Sequence, residues 1–498
     1  MSENKKKNII WFCTDQQHYN TITAMGNSEI KTPNLDRFIR EGVAFRNTYC
    51  QCPVCTPSRA SFLTGRYPRS TKVCYNGNDT FSKDEFLVTK MLADAGYICG
   101  LVGKCHLTAA QDPSRVELRT DDGYAMFKWS HHPHDDWASG VNSYQEWLKE
   151  KGYRWEDIYG GRYLHQTVWP PVPQPNFTGV STGTPPELHQ TTWCVEEAIQ
   201  FIEKNNRAKE KKPWLVSINS FDPHPPLDPP QAYKDKLDPE TLSLPLWQDG
   251  EFDNKPPHYL NDYIKGGQEG ATESVIGMSD EQKRELRRDY YAQIMLIDDQ
   301  FGRLIDYLDE NDLREDTIVI FHSDHGEMNG DHGLHWKGAY FYEQLVHVPM
   351  IWSCPGTILQ DRISNALVEL VDIAPTLLEL CGFEIPQAMQ GKSLASLLTG
   401  ESDLNVHKDS IYTEYYGALY KSQQFMFATM YYDGRFKLVC YHGEQYGELY
   451  DLDADPHEFN NLWDNIKYRD LKHELIKKNF DNAILRNRDY SLGRSYHY

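Results

Sequence analysis

The chain has 498 residues, enough for one large core or two to three domains, with 40% hydrophobic and 25% charged residues. Its formal net charge of −21 argues against a nucleic-acid footprint and against an anionic-membrane partner. No run of about 18 apolar residues is present to span a bilayer, and eleven scattered cysteines, an odd number, fit reduced thiols better than a disulfide framework.

The N-terminal Lys5-Lys6-Lys7 is followed by an apolar run too short for a signal peptide, interrupted by Asp15. As the sequence stands the chain is expected in the cytoplasm; a trimmed signal peptide would make it periplasmic or secreted. The acidity is read as serving solubility. An enzyme that binds an anion would then have to gather positive charge locally, in its pocket.

Asn8 to Cys13 reads as a buried parallel strand ending in the polar Thr14-Asp15-Gln16-Gln17. Thr32-Pro33-Asn34 opens a helix that Gly42 ends, and Val43-Ala44-Phe45 is a second strand. Cys52-Pro53-Val54-Cys55 is formally C-x-x-C, yet no second Cys or His pair stands at zinc spacing. Pro57 and Ser58 suit a helix start, and Arg59 to Leu63 its first turns. Leu87 to Ala95 is an amphipathic helix stopped by Gly96, and Tyr97 to Val102 a strand delivering Gly103-Lys104-Cys105-His106.

Residues from about 108 to 190 are rich in Trp, Tyr, His, Pro and Gly with weak periodicity. They read as an excursion from the sheet, and such excursions often carry specificity. Trp193 to Lys204 is a helix. Trp214 to Asn219 is a strand ending in Phe221-Asp222-Pro223-His224. Ser279 to Asn311 is a long helix, Thr317 to Phe321 a strand ending in His322-Ser323-Asp324-His325, and Val368 to Cys381 a further strand–helix pair. Arg435 to Leu452 carries a hairpin signal, with a terminal helix at about Lys467 to Leu485.

The fold class expected is therefore α/β: a large doubly wound, mostly parallel sheet flanked by helices, plus a small C-terminal antiparallel sheet with a helix. Residues 1–400 are expected to form the catalytic domain, excursion included, and residues 401–498 a C-terminal α+β subdomain. In such a sheet the four polar strand ends, at Asp15-Gln16, Lys104 with His106, His224 and Asp324-His325, converge on one edge. A lone histidine there is ordinary loop chemistry; four clusters together point to one site. Asp15 and Asp324 suit a hard divalent cation, Ca²⁺ or Mg²⁺, and the His325 imidazole admits Mn²⁺.

The run Cys55-Thr56-Pro57-Ser58-Arg59, continuing to Thr64-Gly65, resembles the C-x-P-S-R-x-x-x-x-T-G signature of type I sulfatases, of the alkaline phosphatase-like superfamily. The resemblance extends to Thr32-Pro33-Asn34-Leu35-Asp36, Asp372-Ile373-Ala374-Pro375-Thr376-Leu377 and Glu448-Leu449-Tyr450-Asp451-Leu452 with Asp455-Pro456. It implies that a formylglycine-generating maturation enzyme oxidises Cys55, and that the aldehyde hydrate is the nucleophile. It implies a metal site at Asp15, Gln16, position 55, Asp324 and His325, with Ca²⁺ as its cation and Mn²⁺ or Mg²⁺ as alternatives, where Gln16 departs from the commoner second aspartate and removes one negative charge. Arg59, Lys104, His106, His224 and Lys337 match the family's basic residues. They imply an anion clamp at Lys104 and Lys337, a base at His106 for sulfate release, and a leaving-group acid at His224, with Lys337 beside it.

The function this implies is hydrolysis of a sulfate monoester. Its nearest rival is a phosphonate or phosphate monoester hydrolase of the same superfamily; Gly103-Lys104-Cys105-His106 favours the sulfatase, since the phosphonate-type enzymes lack that Lys/His pair. Two further functions compete with it: an unmodified Cys55 thiolate partnered by His106, and a carbohydrate-binding or scaffold protein with a dead site.

A sulfated saccharide is the working substrate. Trp129, Trp137, Trp147, Trp155 and Trp169, with His131, His132, His134, Asp135 and Asp136, could stack on sugar rings and read hydroxyls, or could equally pack a loop-rich subdomain. Asn76, Asn78 and His332 are pocket candidates by position alone. The segment from Arg486 to Tyr498 is expected to dock on another subunit, which would make a homo-oligomer.

Overall fold

The computed structural model describes residues 6–111, 116–131, 142–154, 158, 184–266, 274–419 and 425–486. The chain order is β1 (Asn8–Thr14), α1 (Pro33–Arg40), β2 (Val43–Tyr49), α2 (Cys55–Thr64), α3 (Val88–Asp94), β3 (Ile98–Gly103), β4 (Tyr124–Trp129), α4 (Ser143–Glu150), α5 (Gln190–Asn206), β5 (Trp214–Asn219) and α6 (Asp280–Glu310). It continues with β6 (Thr317–Ser323), β7 (Met350–Ser353), β8 (Arg362–Glu369), α7 (Ile373–Leu380), β9 (Ile411–Tyr416), β10 (Phe427–Tyr432), β11 (Phe436–Tyr441), β12 (Gly447–Asp451) and α8 (Arg469–Leu485).

Eight strands form the main sheet in the order β8-β2-β7-β6-β1-β5-β3-β4. All neighbours run parallel except β7, which is antiparallel to β2 and β6. Alternation along β1 splits the core. Ile9, Trp11 and Cys13 face the layer that holds α2, α3 and α7, while Ile10 and Phe12 face α1, α5 and α6. Burial on both faces explains why β1 reads as a continuous apolar run. β1 is central, with β6 on one side and β5 on the other; the chain leaves it for β2 on the β6 side and later crosses to β3 on the β5 side. The crevice outside the carboxyl ends of these central strands is where an open α/β sheet takes its ligand.

The second sheet, β9-β10-β11-β12, is antiparallel, and α8 packs Leu475 against Tyr431, Leu438 and Leu449 of that sheet. Lys437 ties it to the larger body, pairing with Glu343 at 2.6 Å and Glu458 at 2.8 Å.

Two stretches differ from the sequence reading. The excursion returns to the sheet: Tyr124–Trp129 is the edge strand β4, parallel to β3. Only its first and last residues are buried, so it carries no clean alternation to mark it. The strand before α7 begins at Arg362, six residues ahead of Val368; its exposed Arg362 and Asn365 hide it as an edge. Trp137, Trp155, Trp169, His132, His134, Asp135, Asp136 and residues 487–498 lie outside the described residues.

Candidate active site

Helix α2 is buried along its whole length, an unusual condition for a polar sequence. Its polar residues are spent on anchoring. Ser58 Oγ donates to the Asp324 carbonyl at 2.6 Å, and Arg59 Nε donates to Asp324 Oδ2 at 2.8 Å. Arg59 Nη1 donates to the Lys104 carbonyl at 3.0 Å, so one side chain crosslinks the ends of β6 and β3. Gly65 closes the helix in the left-handed region, φ 67°. Cys55 is thus held at the helix N-terminus, where free N–H groups and the helix dipole favour negative charge.

Lys337 Nζ is 2.9 Å from Cys55 Sγ, His325 Nε2 3.1 Å, and Lys104 Nζ and Asp15 Oδ1 each 3.6 Å. Lys104 Nζ also donates to Asp15 Oδ2. Gly103 makes the tight turn into Lys104 possible: φ is +101°, and a Cβ there would lie 2.0 Å from the Asn219 carbonyl. Burial and the Asp15 carboxylate push the Cys55 thiol up, but Lys104, Lys337 and His325 together hold it below its ordinary value. Burial likewise opposes ionisation of Asp15, and Lys104, then His224, Arg59 and Lys337, hold its carboxyl well below the usual range.

His224 follows β5. Its Nδ1–H donates to the Pro225 carbonyl, leaving Nε2 to accept from Lys337 Nζ at 3.1 Å. Lys337 also reaches Gln16 Oε1 at 2.6 Å. The Gln16 amide oxygen is therefore turned to the lysine, and its Nε2 donates to Glu327 Oε2. Gln16 (φ 65°), His106 (φ 57°) and Trp336 (φ 65°) all sit in the left-handed region, a concentration of backbone strain common at functional sites.

The structure gathers Asp15, Gln16, Cys55, Arg59, Lys104, His224, Asp324, His325 and Lys337 into one contact network. His106 stands one step removed: among the described hydrogen bonds none joins it to Cys55, and its ring packs edge-on against His131 at 4.7 Å. Its turn is fixed by Glu117, which accepts from the backbone N–H of His106 at 2.8 Å, Leu107 at 2.5 Å and Thr108 at 3.2 Å, and from Trp129 Nε1 at 3.1 Å. Glu117 and Glu327 escape sequence reading, since an isolated glutamate carries no spacing signal.

Trp129 and Trp147 are 3% and 4% exposed; Trp147 packs with Tyr144 and Trp193. Both are core residues, not sugar platforms. His332 bonds to Glu251 at 3.0 Å and stacks on Tyr342. The Asn76 side chain meets Thr56 Oγ1 at 3.4 Å, while that of Asn78 bonds to Tyr75 N and the Lys72 carbonyl. Each makes local contacts, and the buried His332 Nε2 keeps no hydrogen-bond partner among the described residues.

The sulfatase family profile matches residues 7–383, and a profile described as N-sulphoglucosamine sulphohydrolase, C-terminal, matches residues 330–484. The chain belongs to the sulfatase family. It is 30% identical to an arylsulfatase of Clostridium perfringens, over 95% of this chain and 94% of that one. It is 27% identical to an N-acetylglucosamine-6-O-sulfatase of Bacteroides thetaiotaomicron, over 95% and 86%. Its fold is that of a phosphonate monoester hydrolase of Agrobacterium radiobacter, with TM-score 0.81 and 22% identity over 97% and 96% of the two chains.

In this sulfatase the ligand atoms of Asp15, Cys55, Asp324 and His325 all lie within 4.8 Å of one another, so the group could hold a metal ion. His325 is prepared for it: Nδ1–H donates to the Gly326 carbonyl at 2.8 Å, leaving the Nε2 lone pair aimed inward. Asp324 Oδ1 is oriented by the backbone N–H groups of Gln16 at 3.1 Å and His325 at 2.9 Å. No helix among the described residues of the sulfatase is long and apolar enough to cross a membrane.

Proposed function

We propose that this sulfatase hydrolyses a sulfate monoester on a carbohydrate, with Cys55 matured to formylglycine and a divalent cation, Ca²⁺ with Mn²⁺ or Mg²⁺ as alternatives, held by Asp15, Gln16, position 55, Asp324 and His325. The observation that carries this reading is the placing of Cys55 Sγ, at a buried helix N-terminus, against both Lys337 Nζ at 2.9 Å and His325 Nε2 at 3.1 Å. Gln16 Oε1, which accepts from Lys337 Nζ at 2.6 Å, would be the amide ligand of that cation. The cation supplies Lewis-acid charge, and the formylglycine hydrate a hydroxyl at position 55 for attack on sulfur.

The chain's own residues do the rest. Lys104 and Lys337 neutralise the non-bridging oxygens, overcoming the acidic global charge inside a buried pocket. Arg59 fixes Asp324 and the Lys104 carbonyl, so the Lys104 end of the clamp keeps its place beside the metal-capable group. His224 is the leaving-group acid: Lys337 passes the proton of its 3.1 Å hydrogen bond to Nε2, and the imidazolium so formed gives it on to the leaving oxygen. His106, buried one step from position 55 and pushed toward its neutral form by burial and by Lys104, is the base that takes a proton as sulfate leaves.

The carbohydrate part is supported by the match of residues 330–484 to the N-sulphoglucosamine sulphohydrolase profile and by the N-acetylglucosamine-6-O-sulfatase relative. The test is a rate comparison of matured enzyme on sulfated monosaccharides, glycosaminoglycan fragments, an aryl sulfate and an aryl phosphonate ester. Intact mass scores maturation through the loss of roughly 18 Da that turns the thiol into an aldehyde. Sulfated sugars should give the highest kcat/KM, and Cys55→Ser should fold without turning over. Preference for the phosphonate, or full activity in Cys55→Ser, overturns the reading.

A further inference from the structure

A second group of buried ligand atoms lies beneath the loop that carries His224. It is built from three elements. His189 is the N-cap of α5, Asp222 and Asp228 flank the turn after β5, and Gln293 projects from the middle of α6. The ligand atoms of His189, Asp222 and Asp228 lie within 4.8 Å of one another. His189 is 1% exposed, Asp222 1%, Asp228 3% and Gln293 0%.

The group is not internally satisfied. His189 Nε2 faces Asp228 Oδ1 at 3.7 Å, beyond hydrogen-bonding distance, and has no partner; nor have Asp228 Oδ2 and Gln293 Oε1. Gln293 Nε2 bridges Asp222 Oδ1 at 3.1 Å and Asp228 Oδ1 at 3.2 Å. Among the described residues, no Lys or Arg makes an ion pair with either carboxylate; His189 is their one basic partner. Two buried carboxylates and three orphaned polar atoms are costly unless a cation compensates them.

We propose that His189, Asp222 and Asp228 form a second divalent-cation site, structural in role, distinct from the Cys55 centre. One imidazole nitrogen and carboxylate oxygens make a donor set for Zn²⁺ or Mn²⁺. His189 binds through Nε2. Its Nδ1, 3.3 Å from Asp222 Oδ2, then carries the proton and donates to that oxygen, replacing the long 3.4 Å contact from Thr191 N. A flip of the Gln293 amide turns its orphaned oxygen to the cation as a further ligand. Thr191 Oγ1 donates to Asp222 and holds its carboxylate.

Such a cation fastens the catalytic loop. Asp222 is two residues before His224, and its carbonyl accepts from Asp15 N at 3.2 Å. The site therefore joins α5 and α6 to the segment that presents His224 and accepts the backbone N–H of Asp15.

The experiment is anomalous diffraction from crystals of the full-length enzyme dialysed against Zn²⁺, with zinc counted per chain in solution. A zinc peak among His189, Asp222 and Asp228 is expected, and His189→Gln and Asp228→Asn should each lose one zinc equivalent. The absence of that peak in the wild type overturns the proposal and leaves an imidazolium paired between two carboxylates; so does an unchanged zinc count in both variants. Should the variants fail to fold, the wild-type map alone decides. The Cys55 centre is read at its own position in the same map, so its occupancy does not affect the result.

Discussion

Arg59 and Asp324 form a 2.8 Å ion pair from which both side chains are fully excluded from solvent. The pair does two jobs, since Asp324 also belongs to the metal-capable group and Arg59 also holds the Lys104 carbonyl. Removing one partner of a buried pair leaves an uncompensated charge, at a cost of about 3–5 kcal/mol. Arg59→Met should therefore lower stability by roughly that amount, measured by urea unfolding, and abolish turnover. Arg59→Lys should recover little activity, because one ammonium cannot replace the planar fork that reaches both partners.

Glu117 offers a test that separates positioning from bulk stability. It accepts four N–H groups that hold the turn at His106. Burial raises its carboxyl despite those donors. Glu117→Gln keeps the shape but turns an NH₂ toward N–H donors, leaving groups unpaired at about 1–3 kcal/mol each. If His106 acts as base, kcat should fall at least tenfold with KM little changed. An unchanged kcat in a folded variant would remove His106 from the chemistry.

Much of the fold was legible because its strands are short apolar runs, each followed at once by a polar cluster. Asn8–Thr14 into Asp15 and Thr317–Ser323 into Asp324 are the clearest. The sulfatase resemblance then supplied Cys55, Arg59 and Lys337. Three features were not legible, each for a physical reason. Trp129 and Trp147 look like ligand platforms in sequence, since aromatic composition does not tell an interior ring from a binding one. β4 lacks alternation at the sheet edge. The contact between Gln16 and Glu327 spans 311 residues, and nothing local marks either partner for it.

Two histidines behind the site set an acid limit on stability. Burial pushes His322 and His258 down to about 4 from an ordinary 6.5. His322 Nε2 accepts from Trp11 Nε1 at 2.7 Å, and His258 Nε2 donates to the Ala339 carbonyl at 3.0 Å. The unfolded chain binds protons at these groups below about pH 6.5, whereas the folded chain resists until about pH 4. Stability is thus fully present above the unfolded value and is lost as pH falls through that window, by up to roughly 3 kcal/mol per histidine. Unfolding free energies measured from pH 7 to pH 4 should fall accordingly, and His258→Gln should flatten the slope. A slope unchanged in that variant would show that His258 already protonates in the folded protein.

The chain's end supplies the last prediction. Of the segment from Arg486 to Tyr498, Arg486 is the one residue described, and it bonds within its own chain. Nη1 donates to Glu369 at 3.0 and 2.8 Å and to the Tyr67 hydroxyl, and Nη2 donates to the Ser410 carbonyl at 2.9 Å. Glu369 ends β8 and Ser410 precedes β9, so this one guanidinium fastens α8 across the junction of the two sheets. Glu369 keeps Lys408 when Arg486 is removed, which limits the loss. Arg486→Met should cost about 2 kcal/mol, less than the 3–5 kcal/mol of a fully orphaned buried charge. Glu369→Gln in the same background should cost less than it does alone, because both changes break the same contact. A double-mutant cycle by urea unfolding measures the coupling; additive effects would mean that Arg486 contributes packing rather than charge.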